Sequence, residues 1–374
     1  MKKIFVSIFV FSTMFLSAQD YVVPGFDLST LLGFKQSSPY ISTDINTNVG
    51  LRVQRYPFAY FDIGFDLDTA NVLNFFHPNK NIRKAAALTF LNTSLTFPKM
   101  NGSNIDLALF YGAYDDLNSD SILQKTAKVE MHEPEFLNYY PGNIFKADNL
   151  LDGLGIGVYG NFNNPSLYVG GYTYWNGFTD TDMQIGGVLR GGFSSTAGAL
   201  NFFTEVNLPK DIKKINIGVG ISGIVRISDY FDLYAATSFS NIEFKKYKED
   251  ILSHFYLMTE SRVKLENFNF AIALFAKSPK EIPAYLINTG LEDSMYGLNI
   301  KFAGGNLDLY KMEGGVNSLM TLDKKFSKMN FVLSPFYTCE LGNYILDIRL
   351  PIMPLLYKKP YDMVKLQLSF RMLR

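Results

Sequence analysis

The sequence predicts an all-β chain, a single domain of antiparallel strands wound into one barrel of about 14–18 strands. Two observations carry that expectation. Apolar and polar residues alternate in segment after segment, out to the last residues of the chain. The connectors between those segments also keep a rhythm, short then long.

The final segment, 363–374, shows the alternation without a break. Val364, Leu366, Leu368, Phe370 and Met372 interleave with Lys365, Gln367, Ser369 and Arg371. A period of two sends each set to its own face of a strand. On a helix the same apolar residues would step round the axis by about 100° and leave no amphipathic face. A strand at the end of the chain must still pair with something, and pairing with the first strand would complete a wall without edges.

At the other end, Lys2 and Lys3 precede an apolar run from Ile4 to Phe15, and Leu16-Ser17-Ala18-Gln19 offers a small-residue cleavage site. Residues 1–19 therefore read as a secretory signal peptide, and residues 20–374 as the barrel. The run is shorter than the about 20 apolar residues that a membrane anchor needs. No cysteine follows it to carry a lipoprotein anchor. Cys339 is the single cysteine, so stability has to come from a large core or from a membrane rather than from disulfides.

The strands are expected in this order. Phe26, Leu28, Leu32 and Phe34 mark the first, and Val49, Leu51 and Val53 the second. Phe61, Ile63, Phe65 and Leu67 follow a turn at 55–57, facing away from Asp62, Asp66 and Asp68. Three aspartates on one face are costly in a buried sheet and cheap beside water. Leu91, Leu95 and Phe97 lead through a turn at 98–104 to Ile105, Leu107, Leu109 and Tyr111. Leu154, Ile156, Val158 and Phe162 alternate mainly with glycines, and Leu167, Val169 and Trp175 oppose Tyr168, Tyr172 and Tyr174.

Residues 183–193 form a weaker segment, because Val188 and Leu189 are adjacent. Leu200, Phe202, Val206 and Leu208 oppose Asn201, Glu205 and Asn207. The longest clean run is Ile215, Ile217, Val219, Ile221, Val225 and Ile227, and a turn at 228–230 hands it to Phe231, Leu233 and Phe239. Then come Phe255 to Leu265, Phe268 to Leu274, and Leu298 to Phe302. A turn at 304–306 precedes a weak strand near 307–312. Phe331 to Cys339 turns at Gly342-Asn343 into Tyr344, Leu346, Ile348, Leu350 and Ile352. Segments of about ten residues, tilted near 45°, are long enough to cross a hydrocarbon core of about 25 Å.

Short turns at 55–57, 98–104, 163–165, 194–198, 228–230, 266–267, 304–306 and 341–343 join pairs of strands. Long connectors at 70–86, 115–152, 278–294 and 313–328 separate the pairs. This rhythm and the alternating faces resemble those of bacterial outer-membrane β-barrels of the porin-like kind, which carry short turns at one rim and long loops at the other. The resemblance covers the mature chain and names no subfamily. It implies a single transmembrane β-barrel in the outer membrane, inserted by the barrel-insertion machinery and surrounded by outer-membrane lipid. One departure is the ending Phe370-Arg-Met-Leu-Arg374, where such proteins often finish on an aromatic residue.

Composition excludes other classes. Basic and acidic residues balance at 35 each, without the basic excess of a nucleic-acid binder. Mean hydropathy is close to zero and no later run of about 18 apolar residues occurs, which argues against a helical membrane protein. The 33 Phe and 23 Tyr against one Trp suit a chain whose rings sit at bilayer interfaces. Nothing points to catalysis. His77, His132 and His254 have no zinc-ligand spacing, the glycine pairs match no phosphate loop, and Cys339 is in phase with outward residues. No cofactor or metal is expected.

The polar face predicts the function. Arg52, Asp62, Asp66, Arg190, Glu205, Arg226, Arg262, Lys264, Asp347 and Arg349, with Lys365, fall on it in mixed sign. The resemblance makes these the pore-lining candidates of a channel for passive diffusion of small polar solutes. The connector 115–152 is too long for a passive turn and holds Glu130, His132, Glu133 and Glu135, candidates for a charged constriction. The alternatives are an adhesin or structural barrel with a plugged lumen, a transporter of hydrophobic solutes, or a secreted soluble all-β binder. A homo-oligomer is the further partner the class allows.

Overall fold

In most of the described segments period-two patterning becomes strand. The structure, a computed structural model, describes residues 21–34, 41–55, 59–69, 86–99, 103–116, 150–162, 167–176, 184–209, 215–243, 251–278, 294–356 and 364–372. The first nine strands are β1 (Tyr21–Phe34), β2 (Ile41–Arg55), β3 (Ala59–Thr69), β4 (Ala86–Phe97), β5 (Ile105–Asp116), β6 (Leu150–Asn161), β7 (Leu167–Trp175), β8 (Gln184–Ser195) and β9 (Gly198–Pro209). The next nine are β10 (Asn216–Ser228), β11 (Phe231–Glu243), β12 (Phe255–Lys264), β13 (Phe268–Lys277), β14 (Tyr296–Asn306), β15 (Met312–Leu322), β16 (Met329–Leu341), β17 (Tyr344–Arg349) and β18 (Lys365–Met372).

Each strand pairs antiparallel with its neighbours in sequence, and β1 pairs with both β2 and β18. Leu28 stands opposite Phe370 of β18 and opposite Thr47 of β2. The pairing thus runs full circle through 18 strands, the last strand meeting the first as the resemblance to outer-membrane barrels implies.

The faces are the reverse of those in a water-soluble sheet. On β9, Asn201, Phe203, Glu205 and Asn207 are buried, while Leu200, Phe202, Val206 and Leu208 are exposed. On β7, Tyr168, Tyr172 and Tyr174 are buried and Leu167 and Val169 exposed. Val219, Ile221, Val225 and Ile227 give β10 an outward apolar stripe. An apolar band exposed strand after strand is not tolerated by water and is what lipid requires. The soluble binder is therefore a poor account of this chain.

The inner face is held together by rings laid on glycines. Phe110 of β5 faces Gly155 of β6 as its direct cross-strand partner, and Phe203 of β9 faces Gly220 of β10 in the same way. A Cβ on either glycine would come within 2.2 Å and 2.3 Å of the facing ring. Only glycine leaves that space, so the ring can lie flat along the neighbouring backbone.

Several expectations are corrected by the pairing. The weak strand near 307–312 is instead a helical turn, Leu307–Tyr310, at the tip of the β14–β15 hairpin. Much of the supposed connector 313–328 is β15, and residues 323–328 alone turn the chain into β16. The misreading has a physical source: Gly314 and Gly315 blank both faces, and Leu319 points inward, fully buried. The irregular segment 183–193 is a regular strand, β8, whose Val188 is a buried inner residue and Leu189 an exposed outer one. Pro351 ends β17 early, although Ile352 still bridges to Leu333 and Val364.

Candidate functional site

The inner face of β7–β18 carries the polar groups that could meet a solute. Tyr174 Oη lies 2.8 Å from Asn207 Oδ1 and 3.1 Å from Glu205 Oε1, so β7 and β9 are tied across β8. Asn207 also donates to Glu205 from its amide. Arg190 on β8 is fully buried, and its Nε donates to Asn201 Oδ1 at 3.3 Å.

Further round the wall two charge pairs join residues two apart, which puts both members on one face of a strand, and a third pair crosses from β14 to β15. Arg262 Nε donates to Glu260 Oε1 at 2.6 Å on β12, both side chains being almost wholly buried. On β17, Arg349 grips Asp347 through Nε at 2.6 Å and a terminal guanidinium nitrogen at 3.0 Å, while Thr338 Oγ1 of β16 donates to the same carboxylate at 2.6 Å. Lys301 of β14 meets Glu313 of β15 at 2.5 Å, and Asn269 of β13 donates to that carboxylate at 3.0 Å. Phe336 of β16 lies between two cations, with Lys301 Nζ and the Arg349 guanidinium each 5.1 Å from its ring centre. Each of these three carboxylates thus has its cation beside it, and Lys277 of β13 adds a further buried cation to the same wall.

The expected residues fall into four groups. Arg190, Glu205, Arg262, Asp347 and Arg349 sit on the inner face, buried and hydrogen-bonded. Arg226 and Lys264 lie at strand ends near the short turns; the Arg226 guanidinium is half exposed, 3.6 Å from Asp232. Lys264 gives its backbone N–H to Tyr230 O at 2.8 Å. Of Arg52, Asp62 and Asp66 only the register is described: Asp62 lies opposite Arg52 on β2 and Ser94 on β4, and Asp66 opposite Asn48 and Thr89. Lys365 pairs with Gly33 on β1. Glu130, His132, Glu133 and Glu135 lie outside the described residues.

Sequence reasoning passed over Glu260, Lys301 and Glu313. Glu260 and Lys301 share their strands' polar phase and were open to the same reasoning. Glu313 was hidden by the misread connector. Among the described residues no group of three or more His, Cys, Asp or Glu side chains is placed to hold a metal ion.

No protein-family model matches the chain, and no curated protein matches it. Solved structures do. Acinetobacter baumannii OccAB2 aligns over 93% of this chain and 97% of its own, at 10% identity and a TM-score of 0.56. A Rh. blastica porin variant aligns over 94% of this chain and 99% of its own, at 7% identity and a TM-score of 0.48. The OccAB2 likeness is one of fold. Together with the full circle of antiparallel pairing, it makes the architecture an antiparallel β-barrel with the porin fold.

Proposed function

We propose that the chain is an outer-membrane channel of porin-like form, through which small polar solutes diffuse passively. The observation that carries this reading is the inversion of faces on β7 and β9, with Tyr174, Glu205 and Asn207 turned inward and Leu167, Phe202 and Leu208 turned outward. An apolar exterior fits lipid, and a polar interior fits a water-borne cargo. The signal peptide at 1–19 would deliver the chain to the export path, and the barrel-insertion machinery would place it. No catalytic step is assigned to it.

A second reading has its own support. Arg190, Glu260 and Arg262 are at most 1% exposed, more enclosed than charges on the wall of an open aqueous pore. That favours a filled lumen, as in an adhesin or a structural barrel. Planar-bilayer conductance of the refolded mature chain separates the two. Discrete conductance steps, with swelling of vesicles in neutral sugars, are expected of the channel. Inserted protein that stays silent would leave the filled barrel, and a monomer soluble without detergent would remove the membrane placement itself.

A further inference from the structure

We infer that the turn between β15 and β16, residues 323–328, is a docking point for the anionic phosphate headgroups of membrane lipid. The turn is Asp323-Lys-Lys-Phe-Ser-Lys328, and Lys324, Lys325 and Lys328 are all exposed. Its one carboxylate is occupied inside the turn. Asp323 accepts from Ser327 N–H at 2.6 Å, from Ser327 Oγ at 2.7 Å and from Lys328 N–H at 3.1 Å. The hydrogen bonds to that acid thus come from Ser327 and a backbone amide, with the Lys328 charge adding only the weakest of the attractions on it, and the exposed lysines project from a fixed frame. At the opposite rim, by contrast, Lys311 stands 2.8 Å from Glu340.

The second feature is an apolar ledge directly beneath these lysines. Phe326 takes a left-handed backbone, φ 56°, and lays its ring on Tyr296 at a centroid separation of 5.2 Å and an interplanar angle of 7°. A bulky residue seldom adopts that conformation, so the local frame imposes it. Phe326 remains 64% exposed, and Tyr296 and Met329 are exposed beside it. Tyr296 and Met329 are both register neighbours of Leu322, so the ledge continues the outward apolar stripe to its rim.

Those two features select the occupant. A soluble acidic peptide or free phosphate would meet the lysines but has no use for stacked rings and a methionine on the lipid side. A lipid meets both, with acyl chain against the ledge and phosphate at the ammonium groups, the arrangement that aromatic belts and basic residues adopt at a bilayer interface. A charge near an anionic membrane surface strengthens association roughly fivefold.

The test uses the mature chain refolded into phosphatidylcholine bilayers, with spin-labelled phosphatidic acid and spin-labelled phosphatidylcholine as probes. The parent should prefer the anionic probe, and the preference should weaken as salt rises. K324Q/K325Q/K328Q should lose it by roughly fivefold per lysine, K324R/K325R/K328R should keep it, and F326A should reduce it. Excess inorganic phosphate should leave most of the preference intact, because the acyl chain contributes. An unchanged preference in the glutamine variant, or a parent indifferent to salt, would overturn the docking site; the parent's salt response decides even if the variant does not fold. Loss of the preference to inorganic phosphate would overturn the lipid as occupant. The inference rests on the membrane placement proposed above. That placement fails separately, if the parent stays monomeric in plain buffer.

Discussion

Phe275 of β13 lies against Gly297, its direct partner on β14, so closely that a Cβ at position 297 would sit 2.0 Å from the ring. The ring itself is 4% exposed and has little room to retreat. Gly297→Ala should therefore overpack the wall and cost about 1–3 kcal/mol, read as a lower urea midpoint in detergent or vesicles. Gly187 on β8 is the control, since nothing stands within 4 Å of a Cβ there. Gly187→Ala should stay within about 0.5 kcal/mol of the parent. Equal losses at both sites would mean that the ring fit does not hold the wall.

That contact also marks where sequence reading ends. Alternation is a local property, so strands such as β9 and β18 could be read from their own residues. Which ring lies on which glycine depends on register across a connector, and Phe275 and Gly297 are separated by residues 278–295. The Asp347–Arg349 pair was within reach, because residues two apart share a face. Lys301–Glu313 was not, because it needed β15, where Gly314, Gly315 and Leu319 break the pattern. Burial of the inner charges had no sequence trace at all, since one alternation serves an open lumen and a filled one.

Glu260 and Arg262 test that burial. Replacing Glu260 with Gln removes the carboxylate 2.6 Å from a guanidinium that is 1% exposed. Breaking a buried pair by one partner costs about 3–5 kcal/mol, whereas replacing both with apolar residues of similar volume is often neutral. Glu260→Gln should thus be much worse than the double change Glu260→Leu with Arg262→Met, by urea unfolding monitored at the same lipid ratio. A Glu260→Gln loss below about 1 kcal/mol, the level of exposed pairs, would show that water reaches this part of the wall.

The β15–β16 turn should respond to acid. Hydrogen bonds from the Ser327 side chain and from the Lys328 and Ser327 amides outweigh desolvation and hold the Asp323 carboxyl below its ordinary value of 3.8. A depressed pKa in the folded state means that the turn's stabilisation is complete above the ordinary value and is lost as pH falls through the depressed one. Amide protection at Ser327 and Lys328 should be constant from neutral pH to about 4 and should decline below it. Asp323→Ala should lack protection at every pH. Protection unaffected by that substitution would mean that the carboxylate does not hold the turn.

The two rims can be told apart by labelling. In a Cys339→Ser background, single cysteines at Ser119 or Thr289, in the long connectors, should react with an impermeant thiol reagent on intact cells. Cysteines at Asp229 or Asn343, in short turns, should react only after the outer membrane is opened. Barrels of this architecture keep short turns on the periplasmic side and long loops outside. The reverse pattern would invert the barrel and move the lysine turn at 323–328 to the inner leaflet.

Ion selectivity offers the last prediction, and the register sharpens it. In register Asp62 pairs with Arg52 and Ser94, whereas Asp66 pairs with Asn48 and Thr89. Directly opposed opposite charges on one sheet face offset each other, and an unopposed carboxylate leaves its field in the lumen. That field extends about 8–10 Å at physiological salt. Asp66→Asn should therefore lower the cation-to-anion permeability ratio more than Asp62→Asn does. Arg52→Gln should raise the ratio by freeing the Asp62 charge. All three differences should shrink as salt rises, because screening shortens the reach of each charge. The measurement is the reversal potential across a salt gradient in a planar bilayer. Equal reversal potentials in parent and Asp66→Asn channels would place that carboxylate off the permeation path, and a larger effect from Asp62 would mean that Arg52 does not offset it.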